Sequence, residues 1–437
     1  MPNAFVIACL LTLVTFALVI GVAGKNPIAA QGYWTKGFWE LLELTMQLSL
    51  IVLTGYIVAV SPIVSRGLEL LAGVASTNRG AVVLMGLVSM AASWLHWGLG
   101  LIAGPIFLGF LVRRHPRIDY RLAVAASYLG STCTWHAGLS GSAPLIMATP
   151  KNFMEAQAGL VPVSTTTFSW FNLMLTATVV AVMTVALRLL YPREADVRTT
   201  DEVLGASRAL PDTAADPHVD AQAGRPAGLA RMLEDRYAIN LVMGLLGVTA
   251  FWSLYAESGY RMSINLLNFV FLFAALLLHP SPASFTAAAM RGATHLHGIV
   301  IQFPFYAGMY GLIRYSGLAE IIGRWFVSIA SAKTFPVFIY WYSGILSYFI
   351  PSGGSKWAVE APYVVAAAQT LGVPLPHAIL AYAWGDMSTH FLQPFWAIPL
   401  LAIARVEFKD IVGYLALLFV INLAVVSAAF ALMPYVF

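Results

Sequence analysis

Lys356 and Glu360 stand four residues apart within Ser-Tyr-Phe-Ile-Pro-Ser-Gly-Gly-Ser-Lys-Trp-Ala-Val-Glu-Ala-Pro, residues 347–362. On a helix that spacing puts an ammonium and a carboxylate on one face. Asp386 and His390 lie in Trp384-Gly-Asp-Met-Ser-Thr-His-Phe-Leu-Gln-Pro, and His136 lies in Leu129-Gly-Ser-Thr-Cys-Thr-Trp-His-Ala-Gly. An ammonium can neutralise a carboxylate ligand, and hydroxyls can donate to it. Lys356 is therefore the candidate counter-charge, with Ser131, Thr132, Thr134, Ser352 and Ser355 as donors. Gly353, Gly354, Trp357, His136, Ser388 and Thr389 complete the candidate binding set. Glu360, Asp386 and His390 are candidates for coupling to a proton or a cation, since imidazole titrates near neutral pH. Trp94, Trp97, Trp135 and Trp357 could wall a small apolar pocket. The competing reading of Lys356 and Glu360 is a pair that only staples its own segment.

These residues sit in apolar surroundings. Of 437 residues, 59% are hydrophobic and 10% charged, against roughly 25% charged in a soluble domain. The composition is that of a multi-pass helical membrane protein, in which a buried Lys or Glu is costly and marks a substrate or ion site by default. The runs 335–346 and 363–368 are each too short to cross a bilayer, which takes about 20 apolar residues. With Pro351, Gly353 and Gly354 between them, they read as a re-entrant hairpin whose tip faces protein or a wet cavity. The two cysteines, Cys9 and Cys133, suggest neither a disulfide framework nor a zinc site, and no metal is expected. No basic patch suggests nucleic acid.

Spans are expected at 4–23, 42–60, 166–187, 237–254, 264–278, 297–313 and 411–433. Surface helices are expected at 62–76, 281–296 and 318–332. Residues 81–112, broken at Trp94-Leu-His-Trp-Gly-Leu-Gly, read as a first re-entrant hairpin. Residues 122–148 and 377–404 read as spans with unwound centres rich in Gly and hydroxyls. Residues 193–236 hold 15 of the 44 Lys, Arg, Asp and Glu residues together with Pro211, Pro217 and Pro226, and read as a mobile cytoplasmic linker.

The halves match at one ungapped shift of 255 residues, Gly98 onto Gly353, Gly130 onto Gly385, Thr134 onto Thr389. The expected organisation is a first membrane repeat at 1–191, the linker at 192–236, an extra transmembrane helix at 237–256 and a second repeat at 257–437. Four crossings in the first repeat and one in the extra helix start the second from the opposite face. The expected fold is an all-α inverted repeat of nine crossings, with two re-entrant hairpins and two broken transmembrane helices, as in many secondary transporters. The side richer in Arg and Lys, including Arg113, Arg114, Arg117 and Arg121, is the cytoplasmic one. This places the N-terminus on the cytoplasmic side of the inner membrane and the C-terminus outside. Free N–H groups at helix breaks suit a carboxylate, and free carbonyls suit a cation.

Pro-Ser-Gly-Gly, then Trp-Ala-Val with Pro beyond, resembles a signature of the short-chain fatty acid uptake transporters. Trp135-His-Ala-Gly-Leu-Ser-Gly-Ser-Ala-Pro resembles a second. The resemblance implies a substrate such as acetate, butyrate or acetoacetate. It also implies membership of the wider ion-transporter superfamily, whose members pair two hairpins with two broken helices and often form homodimers. The expected function is secondary transport of short monocarboxylates by alternating access, coupled to H⁺ or Na⁺, with no cofactor. A cation/proton antiporter centred on Asp386 and Glu360 is the first alternative, and an intramembrane enzyme using Asp386, His390 and Ser140 the second. An ATP-driven pump is disfavoured, since the chain has no Gly-x-x-x-x-Gly-Lys-Ser/Thr loop.

Overall fold

Backbone groups in hydrocarbon have no water to bond, so long apolar runs satisfy them internally by forming helices. A computed structural model describes residues 4–205, 228–259, 261–350, 352–393 and 395–436, and every regular element among them is helical. Pro351 at the expected hairpin tip lies outside the described residues, as do residues 206–227 of the expected linker with Pro211, Pro217 and Pro226.

The first half contains α1 (Ala4–Gly21), α2 (Pro27–Gly37), α3 (Leu42–Ala59), α4 (Pro62–Ala72), α5 (Asn78–Leu95), α6 (Trp97–Arg114), α7 (Tyr120–Ser127), α8 (Leu129–Cys133), α9 (Ser142–Ala148) and α10 (Trp170–Leu190). After the linker come α11 (Tyr237–Glu257), α12 (Ile264–Leu278), α13 (Pro282–Ala293), α14 (His297–Ser316) and α15 (Leu318–Ile329). The chain ends with α16 (Phe335–Phe349), α17 (Gly353–Leu371), α18 (Leu375–Ser388), α19 (Ile398–Ala404) and α20 (Phe408–Val436).

The shift that carries Gly98 onto Gly353 also carries α1 to α6 onto α12 to α17, α7 with α8 onto α18, and α9 onto α19. Local signals repeat with it. Asn26 accepts from the Ala29 N–H ahead of Pro27, and Ser281 accepts from the Ser284 N–H ahead of Pro282; a capping side chain followed by Pro favours a helix start. Packing is exchanged between the halves. α1 and α2 lie on α14, while α12 and α13 lie on α3; α6 meets α19, while α17 meets α9. Such reciprocity is what two copies related by a two-fold produce.

The arms α16 and α17 fold back on each other. The Tyr342 and Tyr363 hydroxyls, on opposite sides of the break, are 2.9 Å apart. One straight helix would separate them by about 30 Å, at a rise of 1.5 Å per residue. Lys356 and Glu360 sit within the first turns of α17 rather than in an open loop. In the first half the break is a single extended residue, His96 (φ −161°, ψ 116°), which leaves 18 residues in each of α5 and α6. These arms are longer than expected for a re-entrant pair.

Nine crossings were expected; among the described residues six single helices are long and apolar enough to span, and a seventh arises if α13 and α14, bent by 49°, count as one. The difference is physical. Four expected spans drop out, since the two broken ones are split into pieces too short to qualify and α12 and the apolar part of α1 fall short in length; α5 and α6, expected as hairpin arms, are each long and apolar enough to enter the count. Helix α2 was not anticipated, because its sequence Pro-Ile-Ala-Ala-Gln-Gly-Tyr-Trp-Thr-Lys-Gly is neither an apolar run nor clearly periodic. The irregular centres are narrower than expected: helix persists through Cys133 and Ser388, and 3₁₀ turns follow at Trp135–Ala137 and Thr389–Leu392.

Gly385 lets α18 lie directly on α16. A methyl there would run into the Tyr340 carbonyl oxygen and stand 3.1 Å from Ser343 Cβ. Gly385→Ala is expected to cost about 1–3 kcal/mol by overpacking, seen as a lower thermal unfolding midpoint in detergent. Gly413→Ala, where nothing lies within 4 Å of the added methyl, should hold or raise that midpoint, since Gly in a helix is worse than Ala by roughly 0.5–1 kcal/mol.

Candidate functional site

Helix α17 brings an ammonium into the dry centre of the molecule, and its neighbours are arranged around it. Lys356, Glu360 and Asp386 are all fully buried. The Lys356 Nζ lies 3.0 Å from Glu360 Oε1 and 3.3 Å from Asp386 Oδ1. It donates to Ser343 Oγ at 2.5 Å and to the Ser343 carbonyl at 3.1 Å. It also sits 4.0 Å from the centre of the Tyr382 ring. The i,i+4 spacing read from the sequence is thus a real contact, and Asp386 extends it to a three-membered cluster.

Asp386 is well supplied with donors. Ser347 Oγ donates to Oδ1 at 3.1 Å, and His136 Nδ1 is 2.9 Å from Oδ2. His136 Nε2 accepts the Ala143 N–H at 3.0 Å. It therefore carries no proton, and the neutral ring donates from Nδ1 to Asp386. Glu360 differs: its Oε2 is buried and has no hydrogen-bond partner among the described residues. The cluster holds two carboxylates against one ammonium, an excess of one negative charge unless a proton or cation enters.

Beside the cluster lies a narrow cavity of about 40 Å³ in water-accessible volume, lined by Leu48, Trp97, Leu101, Ser131, Trp135, Ser142, Ile299, Phe303, Ser352, Gly353, Gly354, His390 and Trp396. At roughly 10–15 Å³ per water, that is room for a few waters or one small organic anion. The cavity opens on the first turn of α17. The capping residue Ser352 is extended (φ −152°, ψ 102°) and makes no side-chain cap; its hydroxyl pairs with that of Ser355 at 2.8 Å. An uncapped helix start offers N–H groups and a positive dipole end to an anion.

Gly353 is the wall between cavity and cluster. It lines the cavity, and a methyl on it would stand 2.7 Å from Asp386 Oδ2, His136 Cε1 and the Trp135 ring. Lys356 is on the far side of that wall and does not line the cavity.

Several expected donors are committed to backbone. Thr132 Oγ1 donates to the Leu129 carbonyl at 3.1 Å, Thr134 Oγ1 to Met90 at 2.8 Å, Ser388 Oγ to Trp384 at 2.7 Å and Thr389 Oγ1 to Gly344 at 2.9 Å. Trp357 is buried against Tyr382, ring centres 4.6 Å apart, away from the cavity lining. His390 does line it; its Nδ1 is 3.0 Å from the Ser131 carbonyl, and its Nε2 is buried without a partner among the described residues. Sequence reading missed Ser343, Ser347, Tyr382 and Trp396. The signal for the first three was spacing: Ser343 and Ser347 share one face of α16, as Tyr382 and Asp386 share one face of α18. Trp396, just past the second break, had no such signal.

Removing the ammonium strands two buried carboxylates. Lys356→Met is expected to destabilise by about 3–5 kcal/mol, while Lys356→Met with Glu360→Leu should recover most of that loss. Thermal unfolding of the purified protein measures both; a single variant as stable as wild type would remove the ion cluster from the account of the core.

Comparison with known proteins gives the same direction. A family model described as "Short chain fatty acid transporter" matches residues 1–433. An Escherichia coli protein named "Putative short-chain fatty acid transporter" is 37% identical over 414 residues, covering 95% of this chain and 92% of its own. A Haemophilus influenzae protein of the same name is 33% identical over 421 residues, with the same two shares. Among solved structures, the Alcanivorax borkumensis YdaH transporter aligns over 99% of this chain and 97% of its own at a TM-score of 0.58 and 16% identity. Neisseria gonorrhoeae MtrF, described with a class of antimetabolite efflux pumps, aligns over 99% and 95% at 0.56 and 14%. At those identities the two structures speak to fold alone.

Proposed function

The chain belongs to the short chain fatty acid transporter family, and on that premise we propose that it carries short-chain monocarboxylates across the cytoplasmic membrane, each in company with a proton. The observation that carries this reading is the single-glycine wall at Gly353, which sets an anion-ready helix start against a buried cluster with one negative charge in excess.

The coupling follows from charge. An anion in the cavity is repelled by the surplus negative charge across Gly353, and a proton in the cluster removes that repulsion. Each ligand then raises the affinity of the other by the same factor. Glu360 is the carboxyl with a free oxygen to take the proton, while both Asp386 oxygens are already hydrogen-bonded. The groups near this proton site are Lys356 and Tyr363 on α17, Tyr342 on α16, and Tyr382 and Asp386 on α18, while His136 and His390 at the breaks lie on the Asp386 side of the cluster. Lys356 acts here as the fixed counter-charge of the cluster, felt by the substrate across the wall. Movement is alternating access about this site, with the two repeats inverted in the membrane, the N-terminus inside and the C-terminus outside.

Calorimetry in buffers of different ionisation enthalpy counts the protons taken up as butyrate binds. About one per butyrate is expected near pH 7, and about none in Glu360→Gln, which mimics the protonated carboxyl. Counterflow of labelled butyrate into proteoliposomes, over the rate in protein-free liposomes, should persist in Glu360→Gln. Binding that needs Na⁺ and takes up no proton would replace the proton with sodium. Proton release driven by a cation, with no butyrate binding at all, would support the antiporter reading instead.

A further inference from the structure

Three tryptophans of the cavity have nothing to donate to among the described residues. Trp97, Trp135 and Trp396 all line it, and each has a buried indole Nε1 for which those residues supply no acceptor. Elsewhere the fold supplies acceptors to indoles: Trp384 Nε1 donates to Asn172 Oδ1 at 2.9 Å and Trp341 Nε1 to Ser427 Oγ at 2.8 Å. Trp34, Trp94 and Trp357 share the deficit but do not line this cavity. What sets the three apart is that they, of these six, are the ones that line the cavity.

Their rings are fixed in place. Trp97 packs edge-to-face against Trp135 and Trp396, with ring centres 6.1 and 5.8 Å apart. Trp135 is 7% exposed and lies parallel to both His136, at 4.2 Å, and His390, at 6.0 Å. His390 does not add to the donor set. Its Nδ1 proton is spent on the Ser131 carbonyl, and its Nε2 presents a lone pair. The Lys356 ammonium is spent too, its three protons facing Glu360, Asp386 and Ser343.

We propose that the indole N–H groups of Trp97, Trp135 and Trp396, joined by backbone N–H groups at Gly353 and Gly354, bind the carboxylate of the substrate directly, and that Lys356 does not touch it. The inference rests on the reading of the protein as a carrier of short-chain carboxylates. It adds which groups hold the carboxylate of that substrate. Uncharged donors supply no counter-charge for a second carboxylate in so small a cavity, so dicarboxylates are excluded. The tryptophans thereby act as hydrogen-bond donors, and not only as walls for an alkyl tail.

The test is binding of acetate and of butyrate to the purified full-length protein, by calorimetry, for wild type and for Trp97→Phe, Trp135→Phe and Trp396→Phe. Phenylalanine keeps an aromatic wall and removes the N–H. Loss of one hydrogen bond to a charged acceptor should raise Kd about ten-fold or more, by the same factor for acetate and butyrate. Trp325→Phe, 53% exposed at the surface, should bind as wild type does, and thermal unfolding confirms that each variant is folded. Wild-type affinity in the folded cavity variants would overturn the proposal, as would a loss that grows with tail length, the mark of a wall. If a variant fails to fold, the comparison of butyrate with butyramide on wild-type protein decides: N–H donors aimed at an anion predict at least ten-fold weaker binding of the neutral amide, and equal binding overturns the proposal. Absence of any carboxylate binding by wild type would instead bring down the transport reading itself.

Discussion

Two carboxylates and one ammonium share a space from which water is excluded, and much of the molecule's centre is fitted to that constraint. Burying an ion costs several kcal/mol even after relaxation, and the cost is recovered only where geometry and extra hydrogen bonds are good. Ser343, Ser347, His136 and the Tyr382 ring supply those contacts from three different elements. The cluster thus ties α16, α17 and α18 together and fixes the break at His136 against them. Its charge does not close, however, and an open charge balance is what a structural ion pair avoids and a coupling site uses.

The position of the cluster follows from how the two halves meet. Each half places its opening helices on the third helix of the other, and its second hairpin arm on the other's last broken-span fragment. The breaks at Trp135–Ala137 and Thr389–Leu392 are brought together by that exchange, with His136 against Asp386 and His390 against Ser131. The first hairpin tip is apolar and aromatic, and the second is polar and charged. A duplicated scaffold with unlike tips gives one site with two faces, a wall of tryptophans and a charged wall.

Much of this was legible in the sequence because the signals were local. The Lys356–Glu360 spacing, the Gly and hydroxyl density of the two breaks, and the single 255-residue shift all concern residues near one another or a repeated order of elements. The chain folding back between Tyr342 and Tyr363 follows from the same local pattern, apolar runs on either side of a Gly-Gly pair. What was not legible depends on which faces meet. Thr132 and Thr134 look like ligand donors in sequence, but the narrow unwound centre returns their hydroxyls to the backbone. Ser343 and Ser347 share one face of an aromatic-rich run by their spacing, but nothing in that run says the face is turned to the cluster until α18 is laid alongside. Helix α2 was invisible because its polar and apolar residues show no clear period, and only the Asn-Pro start marks it.

The division between a charged wall and a neutral wall has a consequence for turnover. A carrier must release what it binds. A carboxylate paired directly with a dry ammonium would form one of the stronger contacts available in a protein, and opening it would add to the barrier for release. On the proposed reading, the ammonium and its carboxylates sit one glycine away and act on the substrate through the field across Gly353, which is repulsive while the cluster carries its extra negative charge and is relieved when a proton neutralises it. On that reading the donors that touch the anion are uncharged, and the proton is the switch that makes them sufficient or insufficient. Affinity and release would then be governed by the same group, with substrate and proton leaving the site together.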